Sequence, residues 1–286
     1  MIPPGTAGKL RRIDPQDSMA LLLRDLVHER LGIFFEADRI ESMLEKLEER
    51  ATVTGCQSYL DYFYILKYDE RGREEWRRVM DAFSVQETYF WREFDQIRVL
   101  VDHFVPRWFQ QSSQPLRIWS AACASGEEPY TLAMALLEAG WGGHPIEILA
   151  SDASDLALAR AQARFYRERS FRSLAPALRE KYFEARPDGF LLREEVARRV
   201  KFRWANLLAI DDLPEAAHPD AIFCRNVFIY FSPASIRQVV AAFARRLPPD
   251  RPLFVGASES LLKMTDDFDL QEIGGAFAYC RRRGNP

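Results

Sequence analysis

The chain has 286 residues, beyond the roughly 100 to 150 typical of a single domain, so two domains, or one with an appendage, are expected. Apolar residues make up 48% and the formal net charge is only −3, which fits a folded globular protein and excludes a disordered tail or a general nucleic-acid binder. The four cysteines (Cys56, Cys123, Cys224, Cys280) form no CxxC pair and the four histidines (His28, His103, His144, His218) are scattered, so neither a disulfide framework nor a metal site is expected.

The opening MIPPGTAGKLRR carries basic residues without the apolar stretch of a signal peptide. No apolar run approaches the roughly 18 residues of a membrane helix, so no membrane insertion is expected, and the chain is taken as a cytoplasmic monomer. From about Asp17 to Phe83, Leu22, Leu26, Leu31, Ile40, Met43, Leu44, Leu47, Tyr59, Phe63 and Leu66 recur at three- and four-residue steps, predicting an all-α domain over residues 14–83. Helical periodicity continues through Val99, Leu100 and Phe104 to Phe109. QQSSQP then breaks it, making 84–115 an interdomain segment and linker.

Beyond the break the pattern alternates strand and helix, which predicts an α/β domain over 116–286 with a parallel sheet covered by helices on both faces. Strands are expected at Leu116–Ala122, Ile146–Ser151, Val200–Ala205, Asp220–Arg225 and Pro252–Gly256, and helices at about Glu128–Ala139, Leu156–Tyr166 and Ala234–Leu247. Residues 167–199 interrupt the alternation. They hold a proline-marked helix around Leu178 and then YFEARPDGFLLR, two strands about a turn at Pro187-Asp188-Gly189, read as a small antiparallel insertion. The tail FDLQEIGGAFAYCRR reads as a hairpin turning at Gly274-Gly275.

In open α/β sheets ligands bind beyond the carboxyl ends of the strands, so the residues that follow each strand are the candidates. After the first strand comes SAACASGEEPY, where Ala122 and Gly126 let the backbone approach a ligand, and Ser125 and Glu128 are spaced as a capping box. A dinucleotide site would place GxGxxG here. This loop has one glycine and two acids, Glu127 and Glu128, which repel phosphate but suit a ligand with ammonium and sulfonium charge and neutral hydroxyls, such as S-adenosylmethionine. Asp152 ends the second strand, where an acid accepts hydrogen bonds from ribose hydroxyls. Asn206 ends the third, and Arg225-Asn226 end the fourth, directly after Ile222-Phe223-Cys224. A buried arginine there would need a partner.

SVQETYFWRE, RIWSAACASGEEPYTLAMAL, ILASDASDLALARA, the Asn206 segment, DAIFCRNVFIYF and VGASESL stand in an order and spacing that resemble the CheR-type chemotaxis protein methyltransferases, over nearly the whole chain from about Asp17. The resemblance implies a helical N-terminal domain and a Rossmann-like seven-stranded methyltransferase sheet with a small β-subdomain inserted. It also implies S-adenosylmethionine as cofactor, S-adenosylhomocysteine as product, and glutamate carboxylates of a chemoreceptor-type protein as substrate. Gln86, Thr88 and Arg92 then become cofactor or active-site contacts. Glu127 or Glu128, Asp152, Asn206, Leu207, Arg225 and Asn226 complete the cofactor set. Gln86 stands where many relatives carry Asn.

Methyl transfer to a carboxylate needs little activation of the nucleophile, because a glutamate of pKa about 4.3 is already ionised at neutral pH. Positioning should dominate. Arg92 is assigned to orient the incoming carboxylate through its planar fork, with Tyr230 adding a hydroxyl contact; the plainer reading pairs Arg92 with Glu87, Glu93 or Asp95. In the family a basic helix faces acidic methylation sites, whereas EADRIESMLEKLEER holds six acids against three bases. Either Arg71, Arg73, Arg77 and Arg78 supply another receptor-reading surface, or the substrate is not a standard chemoreceptor. A same-fold methyltransferase with another substrate and a non-catalytic cofactor-binding regulator are the alternatives. FLLR and VKFRW are the stretches considered as sheet edges for docking a peptide.

Overall fold

In the computed structural model residues 10–283 are described, and most of the opening stretch, read as lacking a signal-peptide pattern, lies outside them. The chain divides into two units: one of residues 1–85 with 230–232, the other of residues 86–229 with 233–286.

The first unit is built from α1 (Ser18–Leu31), α2 (Ile40–Val53), α3 (Tyr59–Tyr68) and α4 (Gly72–Phe83). Asp17 caps α1 by accepting the Met19 N–H, Ser58 caps α3 by accepting the Asp61 N–H at 3.1 Å, and the Ser58 hydroxyl donates back to Asp61. The helical periodicity delivers Leu23, Met43, Leu47, Tyr62 and Val79 to a common core. One charge is buried with them: the Glu75 carboxylate takes two bonds from Arg50, at 3.0 and 2.8 Å, and one from the Tyr62 hydroxyl at 2.6 Å. Residues 230–232 join this unit because Ile33 bridges Phe231, the Phe34 N–H donates to the Tyr230 carbonyl, and His28 bonds the Ser232 hydroxyl.

The second unit carries β1 (Leu116–Ala121), α7 (Glu127–Glu138), β2 (Ile146–Asp152), α8 (Asp155–Ala163), β3 (Phe165–Tyr166), α9 (Pro176–Tyr182), β4 (Phe183–Arg186), β5 (Gly189–Leu192), α10 (Glu194–Ala197), β6 (Val200–Trp204), β7 (Ala221–Phe223), α11 (Pro233–Arg246), β8 (Pro252–Phe254), β9 (Phe268–Ile273) and β10 (Ala276–Arg281). Ahead of β1 run α5 (Phe94–Val99), a π-helical turn at Leu100–Phe104 and α6 (Val105–Gln111). The main sheet has the order β6-β2-β1-β7-β8-β10-β9, with the first five strands parallel and β10 antiparallel to both neighbours. Gly274 and Gly275, both at positive φ, turn the closing hairpin where the glycine pair predicts it.

A separate three-stranded antiparallel sheet, β3-β5-β4, is the insertion. Its register makes FLLR central rather than an edge, while VKFRW lies at the edge of the main sheet.

Three expectations are corrected. The helix placed at Leu156–Tyr166 stops at Ala163, because Arg164 turns left-handed (φ 59°) and frees Phe165-Tyr166 to pair with β5. Residues 84–93 are not helical: Trp91 and Glu93 have φ of 65° and 46°, and Phe90 is pulled into a ring cluster with Tyr166, Phe171 and Phe183. The capping box also fails to form. Gly126 is the N-cap of α7 and Glu128 is engaged elsewhere.

Candidate active site at the strand ends

The chain steps from β1 outward to β2 and β6, then returns to the other side of β1 with β7, so the strand order reverses between β1 and β7. That reversal opens a crevice beyond their carboxyl ends. Residues 122–126 leave β1 there as a tight loop in which Ala122, Ala124 and Gly126 are all left-handed, with φ of 62°, 47° and 91°. Gly126 is glycine for packing: a Cβ would meet Ala161 Cβ at 2.9 Å and the Tyr166 hydroxyl at 3.2 Å.

Asp152 at the tip of β2 holds this loop, one carboxylate oxygen accepting the Ala124 N–H at 2.8 Å and the other the Ser154 N–H at 2.9 Å. It does not cap α8. Ser154 does, accepting from Ala157. Asn206 follows β6 and its side-chain oxygen accepts the Leu208 N–H at 3.0 Å, capping a 3₁₀ turn that starts at the buried Leu207.

The two neighbouring glutamates differ. Glu127 is only 2% exposed, its carboxylate accepting from the Ser125 and Ser170 hydroxyls, and burial pushes its pKa up. Glu128 points the other way and answers the question of Arg225. The Arg225 Nε donates to Glu128 Oε2 at 2.6 Å, Nη1 donates to the Glu93 carbonyl at 3.0 Å and to Gln96 Oε1 at 3.4 Å, and the Ser120 hydroxyl holds the other Glu128 oxygen at 2.6 Å. The arginine side chain is 3% exposed and the Glu128 side chain 13%. Arg225 thus ties the start of α7, the segment before α5 and the end of β7 into one polar cluster.

Segment 86–93 adds the remaining candidates. Gln86 accepts from Arg160, and Thr88 is half-buried. Arg92 donates to the Glu87 carbonyl at 2.5 Å, lies 5.6 Å from the Tyr89 ring centroid, and keeps its Nε 4.0 Å from Glu93. The plainer pairing with Glu93 is therefore at the limit of ion-pair distance. Glu93 itself accepts from the Asn226 side chain at 3.1 Å and from the Ala257 N–H at 3.1 Å. Asn226, next to Arg92's neighbour, sits in a left-handed turn (φ 59°). Tyr230 ends the 3₁₀ turn Phe228–Tyr230 and groups with the helical unit.

Comparison with known families decides the identity. The CheR methyltransferase SAM-binding domain matches residues 86–276 and the CheR methyltransferase all-alpha domain matches 21–84. This chain belongs to the CheR methyltransferase family. It is 34% identical to chemotaxis protein methyltransferase 2 of Vibrio cholerae over 261 residues, covering 90% of each chain. Against the chemotaxis protein methyltransferase of Klebsiella aerogenes the identity is 32%, over 91% of this chain and 89% of that one. It is also 31% identical to a probable biofilm formation methyltransferase, WspC, of Pseudomonas putida, over 91% of this chain and 61% of the longer relative.

As a CheR-family methyltransferase, the protein uses S-adenosylmethionine. The residues present suit that cofactor: the strand tips offer carboxylates and a glycine-poor loop, the donor chemistry of a cationic, hydroxyl-bearing ligand rather than a pyrophosphate. Among the described residues no cluster of three or more His, Cys, Asp or Glu side chains could hold a metal ion, and no helix is long and apolar enough to cross a membrane. The cysteines are free and buried, and burial pushes the Cys123 and Cys224 thiols up, away from the thiolate form.

Three residues of this polar network carry no site role in the sequence reading: Glu93, Gln96 and Glu259. Glu93 and Glu259 lie inside SVQETYFWRE and VGASESL, yet an acid in a loop carries no sign of which backbone amides it will meet. Glu259 is 8% exposed.

Proposed function

We propose that the protein transfers the methyl group of S-adenosylmethionine to glutamate side-chain carboxylates of a chemoreceptor-type signalling protein. The observation that carries this reading is the convergence of the 122–126 loop, Asp152, the Arg225-Asn226 turn and the Arg92-bearing segment, joined by hydrogen bonds, at the reversal of strand order. Asp152 would take the ribose hydroxyls, and Ala122, Asn206, Leu207 and Asn226 would line the cofactor. Glu128, the more accessible of the two acids, would face it, while Glu127 and Arg225 would hold the loops from within. Gln86 and Thr88 would close over it.

The cofactor supplies a methyl group on a positively charged sulfur. Because the receiving glutamate is ionised at neutral pH, the protein's part is to orient it and keep water away. Arg92 has five donors and spends one on the Glu87 carbonyl, so its fork remains available for a carboxylate.

The acidic helix favours a related second reading. Glu41, Glu45 and Glu49 are exposed on α2 at four-residue steps, and Arg71 and Arg78 of the basic stretch are already bonded to Asp69 and Glu74. Such a face repels an acidic target, which points to a receptor-like protein whose contact surface is basic or apolar. Incubating the protein with methyl-labelled cofactor and a panel of receptor cytoplasmic fragments tests both. Base-labile label on a glutamate is expected, and label that survives base would remove the ester assignment. A cytoplasmic enzyme acting as a monomer fits this role.

A further inference from the structure

The turn that follows β7 is held by a carboxylate that no step above uses. Glu259 lies beyond β8, and its Oε2 accepts the Asn226 N–H at 2.8 Å and the Gly256 N–H at 2.7 Å. Its Oε1 accepts the Ile229 N–H at 3.3 Å, with the Phe228 backbone also contributing. Burying an ionised carboxylate is costly unless such donors surround it. The approach is close enough to dictate its neighbour: a Cβ on Gly256 would stand 2.5 Å from Asn226 Nδ2 and 2.8 Å from Glu259 Oε2. Asn226 meanwhile occupies a left-handed conformation that costs a residue with a side chain free energy, so something must hold it. Glu259 grips its main chain from the β8 side, and Glu93 grips its side chain from the other.

We infer that Glu259 is a positioning residue for methyl transfer: by accepting the backbone amides of the Asn226 turn it fixes the turn in the shape that presents the Asn226 side chain to the cofactor. This rests on the reading of Asn226 as part of the cofactor site. A glutamine has the same outline but replaces one acceptor oxygen by an NH₂ group, which would face N–H donors whichever way it turned.

The test uses S-adenosylhomocysteine binding by calorimetry on the full chain carrying Glu259→Gln, Asn226→Ala, or both, with thermal melts alongside. Each single variant is expected to weaken binding about tenfold or more, the size of one unmet buried hydrogen bond. The double variant is expected to bind no worse than Asn226→Ala alone, because Glu259 acts through that turn. Independent, additive losses would mean a general structural role and overturn the inference, as would normal affinity in Glu259→Gln when Asn226→Ala is impaired. Normal affinity in Asn226→Ala would instead sink the site reading itself. Should Glu259→Gln fail to fold, Gly256→Ala displaces the same carboxylate, and unaltered binding there overturns the inference.

Discussion

Removing Glu128 should expose how much the site depends on the buried cation beside it. In Glu128→Ala the guanidinium of Arg225, 3% exposed, loses its 2.6 Å carboxylate partner and keeps the Glu93 carbonyl, a long bond to Gln96 and the Glu93 carboxylate at 3.9 Å. Breaking a buried pair by deleting one member costs about 3–5 kcal/mol, and the surviving acceptors place this case near the lower end. For a unit of this size each kcal/mol moves the melting midpoint by about 2–4 °C, so a fall of roughly 6–12 °C is expected by calorimetry.

The companion variant Glu128→Leu/Arg225→Met removes both charges and fills a similar volume. It should recover at least half of that loss, since apolar replacements of buried pairs are often neutral. The exposed Arg186–Glu184 pair serves as control, and its removal should change the midpoint little. A Glu128→Ala midpoint within about 2 °C of wild type, or a double variant as unstable as the summed singles, would refute the reasoning that desolvation of an orphaned charge dominates.

Arg92→Ala should abolish methyl transfer, measured by label incorporation, while the melting midpoint stays put; an active variant would remove Arg92 from the carboxylate-orienting role. Asp152→Asn should weaken S-adenosylhomocysteine binding about five- to a hundredfold, because an amide leaves either the Ala124 or the Ser154 N–H facing a donor, and unchanged affinity in calorimetry would argue against it. Glu127→Gln should gain stability relative to wild type as pH rises. Burial raises the folded-state pKa of Glu127, so the wild type is penalised once pH passes the unfolded value of about 4.3, and the penalty is complete above the folded pKa; a pH-independent difference in melting midpoint would contradict this.

Much of this protein could be read locally. Apolar runs alternate with helical periodicity, so the strands expected at Leu116–Ala122 and Ile146–Ser151 lie within one residue of those observed, and the Gly274-Gly275 hairpin and the acids and amides at the strand tips were visible as well. Short elements were harder. Two-residue β3 has no period of its own and exists because β5 lies beside it, and the left-handed Trp91 and Glu93 are held by contacts that no nearest-neighbour pattern encodes. The π turn at Leu100–Phe104 lies just ahead of Pro106, which lacks the N–H that would bond residue 102.

Residue type and position along the chain determined which side chains stand at the ends of strands, because the alternation of apolar runs and turns is a property of neighbours. The partner each polar group takes was decided only by tertiary structure. Arg225 meets Glu128 across 97 positions and Glu259 reaches Asn226 across 33, distances over which periodicity says nothing. Burial makes those choices matter: in water either charge could stand alone, but between packed strands it is stable only where matching donors or acceptors converge.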